Sequence, residues 1–258
     1  MEDDIFVFRW IAQDGSDKNV VGGMGTQPVE KIPPPLPCRT GVAERPAGPL
    51  GEQARRLAGL ILRNVPAEDK QAMAVFLGTM MGAWEEDRIF QRSRKSGAGK
   101  YCSPAAFSRT LPSTVAAELA IEFGMQGPLL VFTAGAASGP LAMIRATRWI
   151  QSGNISLALA GALDWSYPGI RRRMTGAISN DSRTLLCLIG RRSALPRIHP
   201  VIQIKQGRLK YSPDENSHSM DTSIAPLADA FRRACAQRVH IQGKSGIGTV
   251  CQMILEPV

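Results

Sequence analysis

Few side chains in this sequence suit acid–base or nucleophilic chemistry. The chain has three histidines and five widely spaced cysteines. They are His199, His218 and His240, and Cys38, Cys102, Cys187, Cys235 and Cys251. The sequence contains no CxxC pair and no Cys/His spacing typical of a zinc site, which predicts reduced thiols and no bound metal or other cofactor. So small a number of histidines also limits general acid–base catalysis.

One short segment has the pattern in which many enzymes hold a nucleophile. Residues 129–139 read LLVFTAGAASG, an apolar strand-like run that stops at small residues, and a helical pattern follows it. A thiolate at such a helix start gains acidity from the helix dipole and from unpaired backbone N–H groups. Here the tip of the turn is glycine and alanine, and Ser138 is the nearby hydroxyl.

The composition is that of a globular protein with a basic surface. The 258 residues are 44% hydrophobic and 21% charged, with a net charge of +9. No apolar run approaches the roughly 20 residues of a membrane span, and the acidic start MEDD does not resemble a signal peptide, so we expect a cytoplasmic protein. A basic face could bind nucleic acid, an anionic membrane or an acidic protein. No nucleic-acid motif accompanies the charge, and a nucleic-acid partner is not expected.

Strand and helix patterns alternate along most of the chain. Strands are predicted at 5–12, 72–82, 127–134, 152–164, 183–192 and 199–208, followed by a short strand at 239–242 and a final strand at 247–257. Helices are predicted at 51–64, 139–151 and 224–238, and from Pro112 to Gly124, with Ser113 or Thr114 as the N-cap and Gly124 as the stop. Residues 14–50 are rich in Gly and Pro and read as irregular, and 84–100 as a charged segment with a flexible end. This alternation predicts an α/β fold with a largely parallel or mixed sheet.

Several segments, in this order, resemble β-ketoacyl synthases of the thiolase superfamily. They are AMAVFLGTMMG, SPAAFSRTLPSTVAAELAIEFGMQGP, LLVFTAGAASGPLAMIRATRWIQSGNISLALAGALDW and the closing SGIGTVCQMILEP. The resemblance implies a thiolase-like α/β fold, with a mixed, mainly parallel sheet flanked by helices. It also implies that the nucleophilic cysteine of that family would stand at Ala136, which is a degenerate position here, so no catalytic residue is assigned.

The resemblance is dense over residues 72–205 and thin beyond them. We therefore expect one ketosynthase-like domain over 1–258, with a thiolase-like half at 1–207 and a reduced second half at 208–258. HSMDT (218–222) is either a vestige of the family's histidine loop or a plain exposed loop. SGIGT (245–249) corresponds to the family's glycine loop but lacks its gating phenylalanine. Nucleophile, gate and at least one histidine are thus absent together, which argues against condensation of acyl chains.

A chain with these losses resembles a chain-length factor, an inactive subunit that pairs with a catalytic β-ketoacyl synthase in type II polyketide, aryl-polyene or fatty-acid-like synthesis. The resemblance implies that the strand before the turn and the helix before that strand lie at the subunit interface and line the acyl tunnel. The residues concerned are Arg109, Thr110, Leu111, Ser113, Val115, Ala116, Leu119, Leu129, Leu130, Val131, Phe132 and Thr133. The alternative for each of them is an ordinary place in the core.

Acyl carrier proteins are acidic, so a basic rim would speed encounter with one. Arg171, Arg172 and Arg173 are candidates for such docking, although in the family the carrier usually docks on the catalytic subunit, and scattered surface charge is the alternative.

Two other functions stay open. One is an acyl-carrier-dependent hydrolase, transferase or decarboxylase that uses Ser138 or His218, and the other is a structural scaffold.

Overall fold

The computed structural model describes residues 4–14, 20–23, 49–96, 102–166, 181–211, 224–244 and 249–258. Nine strands lie within these ranges: β1 (Ile5–Asp14), β2 (Val20–Gly23), β3 (Ala74–Gly78), β4 (Leu129–Phe132), β5 (Leu157–Ser166), β6 (Asp181–Arg191), β7 (Ile202–Tyr211), β8 (Val239–Lys244) and β9 (Thr249–Pro257). The helices described are α1 (Pro49–Ile61), α2 (Ala67–Ala72), α3 (Trp84–Ser96), α4 (Pro104–Phe107), α5 (Thr114–Phe123), α6 (Ser138–Gln151) and α7 (Ile224–Ala234). Short 3-10 turns occur at Gly135–Ala137 and Arg192–Ala194.

All the described strands belong to one sheet. Its order is β4-β3-β5-β6-β1-β7-β9-β8, and β2 pairs with β1 beside this path. Strand β3 is parallel to both β4 and β5, and the other six pairings between described strands are antiparallel. The predicted thiolase-like α/β fold with a mixed sheet is therefore confirmed.

The parallel part of the sheet is smaller than the expected mainly parallel sheet, and the connections explain why. Parallel neighbours need a long crossover. The crossovers that the structure describes are α3 to α5, between β3 and β4, and α6, between β4 and β5. By contrast, only positions 245–248 separate β8 from β9. A connection this short joins antiparallel strands and cannot make the crossover that parallel strands need.

Helices cover both faces of the β4-to-β6 part of the sheet. On one face α1 and α5 pack against β3, β5 and β6 through Leu57, Leu119 and Leu186. On the other face α6 and α7 bury Met143, Ile150 and Phe231 against the sheet. Helix α6 also contacts β7, β8 and β9, so the sheet curves around this helix. The start of α6, which directly follows the turn at Gly135–Ala137, therefore lies between the two ends of the sheet.

Strands β8 and β9 bury only one of their faces. Val239 and Ile241 of β8 are buried, while the intervening His240 and Gln242 are exposed. In β9 the buried Met253 alternates in the same way with half-buried neighbours. This alternation is typical of antiparallel strands with one face on the core and one in water. Strands β8 and β9 thus close the core beside α6 and turn a mostly polar face outward.

Candidate functional site

The turn between β4 and α6 has the tight geometry that the sequence predicts. Residues Gly135–Ala137 form a single 3-10 turn and α6 starts at Ser138. Gly135 has φ +58°, in the left-handed region that glycine adopts at little cost. Ala136 stands in the middle of this turn and carries no nucleophilic group. A tight strand-to-helix turn is therefore present, with alanine at its centre.

Ser138 holds the turn together and is not presented to a substrate. Its side chain is buried, and its Oγ accepts a hydrogen bond from the Ala134 N–H at 2.8 Å. The hydroxyl oxygen lies 2.7 Å from the Gly135 carbonyl oxygen and 3.0 Å from the Thr79 carbonyl oxygen. Because it has one proton, the hydroxyl donates to one of these carbonyls at a time. These contacts are all with the main chain. A serine nucleophile needs an adjacent base, and Ser138 has none among these partners.

Close packing of α6 on β3 depends on Gly78. A Cβ atom on this residue would lie 2.2 Å from the carbonyl carbon of Ser138, well inside any real contact. Gly78 is the last residue of β3 and pairs with Phe132 of β4. The missing side chain therefore lets the first turn of α6 lie directly on the end of β3.

A buried carboxylate organises the loop after β3. One oxygen of Asp164, at the end of β5, accepts hydrogen bonds from Thr79 Oγ1 at 2.8 Å and from the N–H groups of Met80 and Met81 at 2.8 and 2.9 Å. Thr79 Oγ1 in turn accepts from Gly82 N–H at 2.9 Å. Sequence reasoning did not single out Asp164 or Thr79. The sequence feature that could have indicated them is a polar residue at the end of a buried apolar run: Thr79 in LGT and Asp164 in ALD.

A cysteine lies against the turn, but it is not a substitute nucleophile. Cys251 of β9 packs with Ala137 and Ile144 and is fully buried. Burial raises the pKa of its thiol to about 11, against the opposing influence of Arg145 and Arg148. Burial also raises the pKa of the Cys187 thiol well above its ordinary value. Both thiols stay protonated at neutral pH, whereas thiolate is the nucleophilic form.

Strand β4 forms one end of the sheet among the described strands. It pairs with β3, and its four residues, Leu129–Phe132, are all half-buried, while Thr133 is exposed. Phe132 stacks on Phe76 at 6.4 Å between ring centroids. An apolar strand with one unpaired edge is a ready template for another strand.

The predicted interface residues on and before α5 divide into three groups by burial. Ala116 and Leu119 are 0% and 1% exposed and pack against α1. Within this subunit, these two side chains are therefore core residues, as the alternative interpretation expected. Leu111 is 61% exposed. The remainder are half-buried: Arg109, Thr110, Ser113 and Val115. Of these residues, Leu111 and its half-buried neighbours are therefore the accessible ones, and their place at a subunit interface stays a prediction.

Exposed large apolar side chains concentrate in the segment between β3 and β4. They are Trp84, Ile89, Phe107, Leu111 and Ile121, and among described residues only the C-terminal Val258 is a further case. Phe107 contacts Phe90 of α3, with ring centroids 5.3 Å apart. Of these, the sequence analysis identified Leu111 alone.

Several sequence-predicted features lie outside the described residues. These are Arg171, Arg172 and Arg173, His218 with the 218–222 segment, Cys38 and positions 245–248 of the glycine loop. Within the described ranges, no three His, Cys, Asp or Glu side chains cluster as metal ligands. No helix in those ranges has the length and apolarity needed to cross a membrane.

The sequence of the chain matches the family model of the β-ketoacyl synthase N-terminal domain over residues 50–185. No curated protein matches it.

Solved structures share the fold at low sequence identity. A chain from the complex of a type II polyketide synthase acyl-carrier protein with its ketosynthase, bound to the hexaketide, aligns with TM-score 0.76 and 12% identity over 100% of both chains. The ishigamide ketosynthase/chain length factor aligns with TM-score 0.72 and 14% identity over 99% of both chains. A ketosynthase in complex with its chain length factor, from Xenorhabdus doucetiae, aligns with TM-score 0.55 and 16% identity over 80% of this chain and 76% of that one. These likenesses concern the fold.

Proposed function

The chain belongs to the β-ketoacyl synthase family, and on that premise we propose that it is a chain-length factor. In this role it is a non-catalytic subunit that pairs with an active β-ketoacyl synthase and shapes the cavity for the growing acyl chain. The observation behind the proposal is the apolar strand β4 at one end of the described sheet, directly before a tight strand-to-helix turn with alanine at its centre.

The chemistry of the turn supports a non-catalytic role. Ala136 has no nucleophilic atom, Ser138 is buried in main-chain hydrogen bonds, and the thiol of Cys251 is held protonated. A hydrolase, transferase or decarboxylase that uses Ser138 would need this hydroxyl exposed and activated. The contacts of Ser138 argue against that alternative.

The edge strand supports pairing with a second subunit. Addition of a strand to β4 would satisfy its free row of N–H and C=O groups, and the exposed apolar side chains nearby would add buried area. Clustered exposed apolar residues of this kind mark interaction sites on soluble proteins. Two similar structures are named as a ketosynthase with a chain length factor, which agrees with a heterodimer.

The tunnel role rests on the residues beside this edge. Leu111, Val115 and the strand Leu129–Phe132 are the predicted apolar interface and tunnel residues that keep some surface available to a partner or an acyl chain. We propose type II polyketide, aryl-polyene or fatty-acid-like synthesis as the setting, in the cytoplasm. An acyl carrier protein would be a second partner, met directly or through the ketosynthase. We also propose that 1–258 is one domain, with a thiolase-like half at 1–207 and a reduced half at 208–258.

Reconstitution tests the proposal. The chain is combined with a complete ketosynthase encoded by a neighbouring gene, a malonyl-loaded carrier protein and a starter, and products are measured by mass spectrometry. We expect full-length product only when both subunits are present, and shorter product when Leu111 or Val115 is replaced with Trp. Exposed Val258→Trp is the matched control. A product unchanged by omission of this chain would contradict the proposal, and unchanged chain length in both tryptophan variants would remove the tunnel role.

A further inference from the structure

The outer side of helix α3 is basic. Trp84, Arg88, Arg92 and Lys95 are spaced as i, i+4, i+8 and i+11, so they lie along one line of the helix. We call these four residues the outer line of α3. Trp84 is 43% exposed, Arg92 and Lys95 are exposed, and Arg88 is half-buried. Ile89, which is 41% exposed, borders the line beside Arg92.

The opposite side of α3 faces the protein. Phe90 lies on that side and contacts Phe107 of α4, with ring centroids 5.3 Å apart. Among the described elements, the helix packs mainly against α4 and β5. The outer line therefore points away from the fold, and it is not part of the β4 edge that is proposed to pair with the ketosynthase.

The cations at the end of the outer line are available to an external anion. Among the described residues, no carboxylate oxygen lies within 4.0 Å of a nitrogen of Arg92 or Lys95. The acidic residues of this helix, Glu85, Glu86 and Asp87, all belong to its first turn. An acidic first turn and a basic last turn both match the helix dipole, so the cationic end is stable without a partner of its own.

We propose that the outer line of α3 binds the surface of an anionic lipid bilayer. The indole ring of Trp84 lies at the headgroup level, where tryptophan is enriched, and Arg92 and Lys95 meet lipid phosphates. Cations on the polar face of a helix with an aromatic anchor beside them are typical of interfacial binding. This inference goes beyond the proposed function and does not depend on it.

Two features favour a lipid surface over other acidic partners. The outer line is a convex helix surface, and a fluid headgroup layer adapts to it without a matching groove. Trp84 and Ile89 add exposed apolar surface, which a bilayer can take up and the phosphate backbone of a nucleic acid cannot. The net charge of +9 adds a long-range attraction to an anionic surface.

Vesicle sedimentation tests the inference. The full chain is incubated with vesicles of phosphatidylcholine alone, and with vesicles of equal parts phosphatidylcholine and phosphatidylglycerol, at low and high NaCl. We expect binding to the anionic vesicles only, weakened by NaCl. Arg92→Glu combined with Lys95→Glu should weaken this binding about tenfold or more, and Trp84→Ala about threefold.

A matched control makes the same charge change elsewhere. Arg192 and Arg197 are exposed and follow the end of β6, which pairs with the start of β5. Arg192→Glu combined with Arg197→Glu should bind within about threefold of the wild type, because these charges lie away from α3. The emission of Trp84, taken as the difference between the wild type and Trp84→Ala, should shift to shorter wavelength on anionic vesicles. Thermal melts verify that each variant folds.

Every outcome bears on the lipid site. Wild-type protein that ignores the anionic vesicles, or binds both vesicle types equally, would overturn the inference. Equal losses in the two double variants would assign the attraction to net charge alone, which also overturns it. The measurement is repeated with the chain bound to a complete ketosynthase encoded by a neighbouring gene, and loss of vesicle binding in that complex would mean that the partner covers the outer line. Failure of the ketosynthase to bind would contradict the proposed function and leave vesicle binding by the free chain intact.

Discussion

Replacement of Asp164 with Ala should loosen the loop that joins β3 to α3. One carboxylate oxygen accepts three hydrogen bonds, from the Thr79 hydroxyl and from the N–H groups of Met80 and Met81. The same loop includes the Thr79 carbonyl that contacts the hydroxyl of Ser138, the first residue of α6 after the turn. The substitution therefore tests whether this network holds the two segments together.

The magnitude follows from the burial of the three donors. Thr79 is 1% exposed, so its unpaired hydroxyl should cost about 1–3 kcal/mol. Met80 and Met81 are half-buried, and water can reach their N–H groups, which lowers the cost to about 0.5–1 kcal/mol each. Removal of a buried charge offsets part of this loss. We expect Asp164→Ala to lower the free energy of unfolding by about 3 kcal/mol, which corresponds to a melting temperature lower by about 6–12 °C.

Urea unfolding followed by circular dichroism measures this change. Asp164→Asn keeps an acceptor oxygen without the charge and should lose about half as much. Asp229→Ala removes an exposed carboxylate that pairs with Arg232 and Arg233, and should change stability by about 0.5 kcal/mol or less. If Asp164→Ala loses less than about 1 kcal/mol, the network does not stabilise the loop as argued.

Three further substitutions address the turn, the buried thiol and the exposed apolar surface. Gly78→Ala should destabilise the chain by about 3 kcal/mol or more, because its Cβ would lie 2.2 Å from the Ser138 main chain; a near-normal melting temperature would contradict this packing. Burial raises the Cys251 pKa from 9.0 to about 11, so its stabilising contribution is complete below pH 9 and is lost as the pH rises through about 11. The wild type should therefore lose up to about 3 kcal/mol relative to Cys251→Ala across that range, and parallel pH profiles of the two proteins would refute this prediction. Leu111→Glu should leave the melting temperature of the free chain unchanged and weaken ketosynthase binding about tenfold, whereas the equally exposed Val258→Glu should affect neither; equal binding of both variants would contradict an interface at Leu111.

Local sequence chemistry was sufficient for the elements around the turn. Gly124 has φ +68° and ends α5, as expected for a glycine C-cap, and Ser113 is the N-cap residue, although its side chain makes no capping hydrogen bond. Helix α6 begins one residue before its predicted start and ends at the predicted residue, and strand β4 lies inside its predicted range, two residues shorter at each end. In these segments apolar periodicity and capping residues agree with one another, which is why local patterns sufficed.

Tertiary information decided what the sequence left open. The charged segment 84–96 forms helix α3, although its apolar content gave no helical stripe strong enough to predict. The buried positions of Ala116 and Leu119 depend on α1 covering them, and α1 is distant in sequence. The contact of Asp164 with Thr79 joins residues 85 positions apart. Such contacts follow from strand order, which no single segment encodes.

The central claim is that this chain pairs with a catalytic ketosynthase. The most direct measurement is native mass spectrometry of the complex purified through a tag on this chain, after co-expression with a complete ketosynthase encoded by a neighbouring gene. We expect one copy of each subunit in the complex, with covalent acylation on the ketosynthase alone. Recovery of this chain by itself or as a homodimer, or an acyl adduct on this chain, would contradict it.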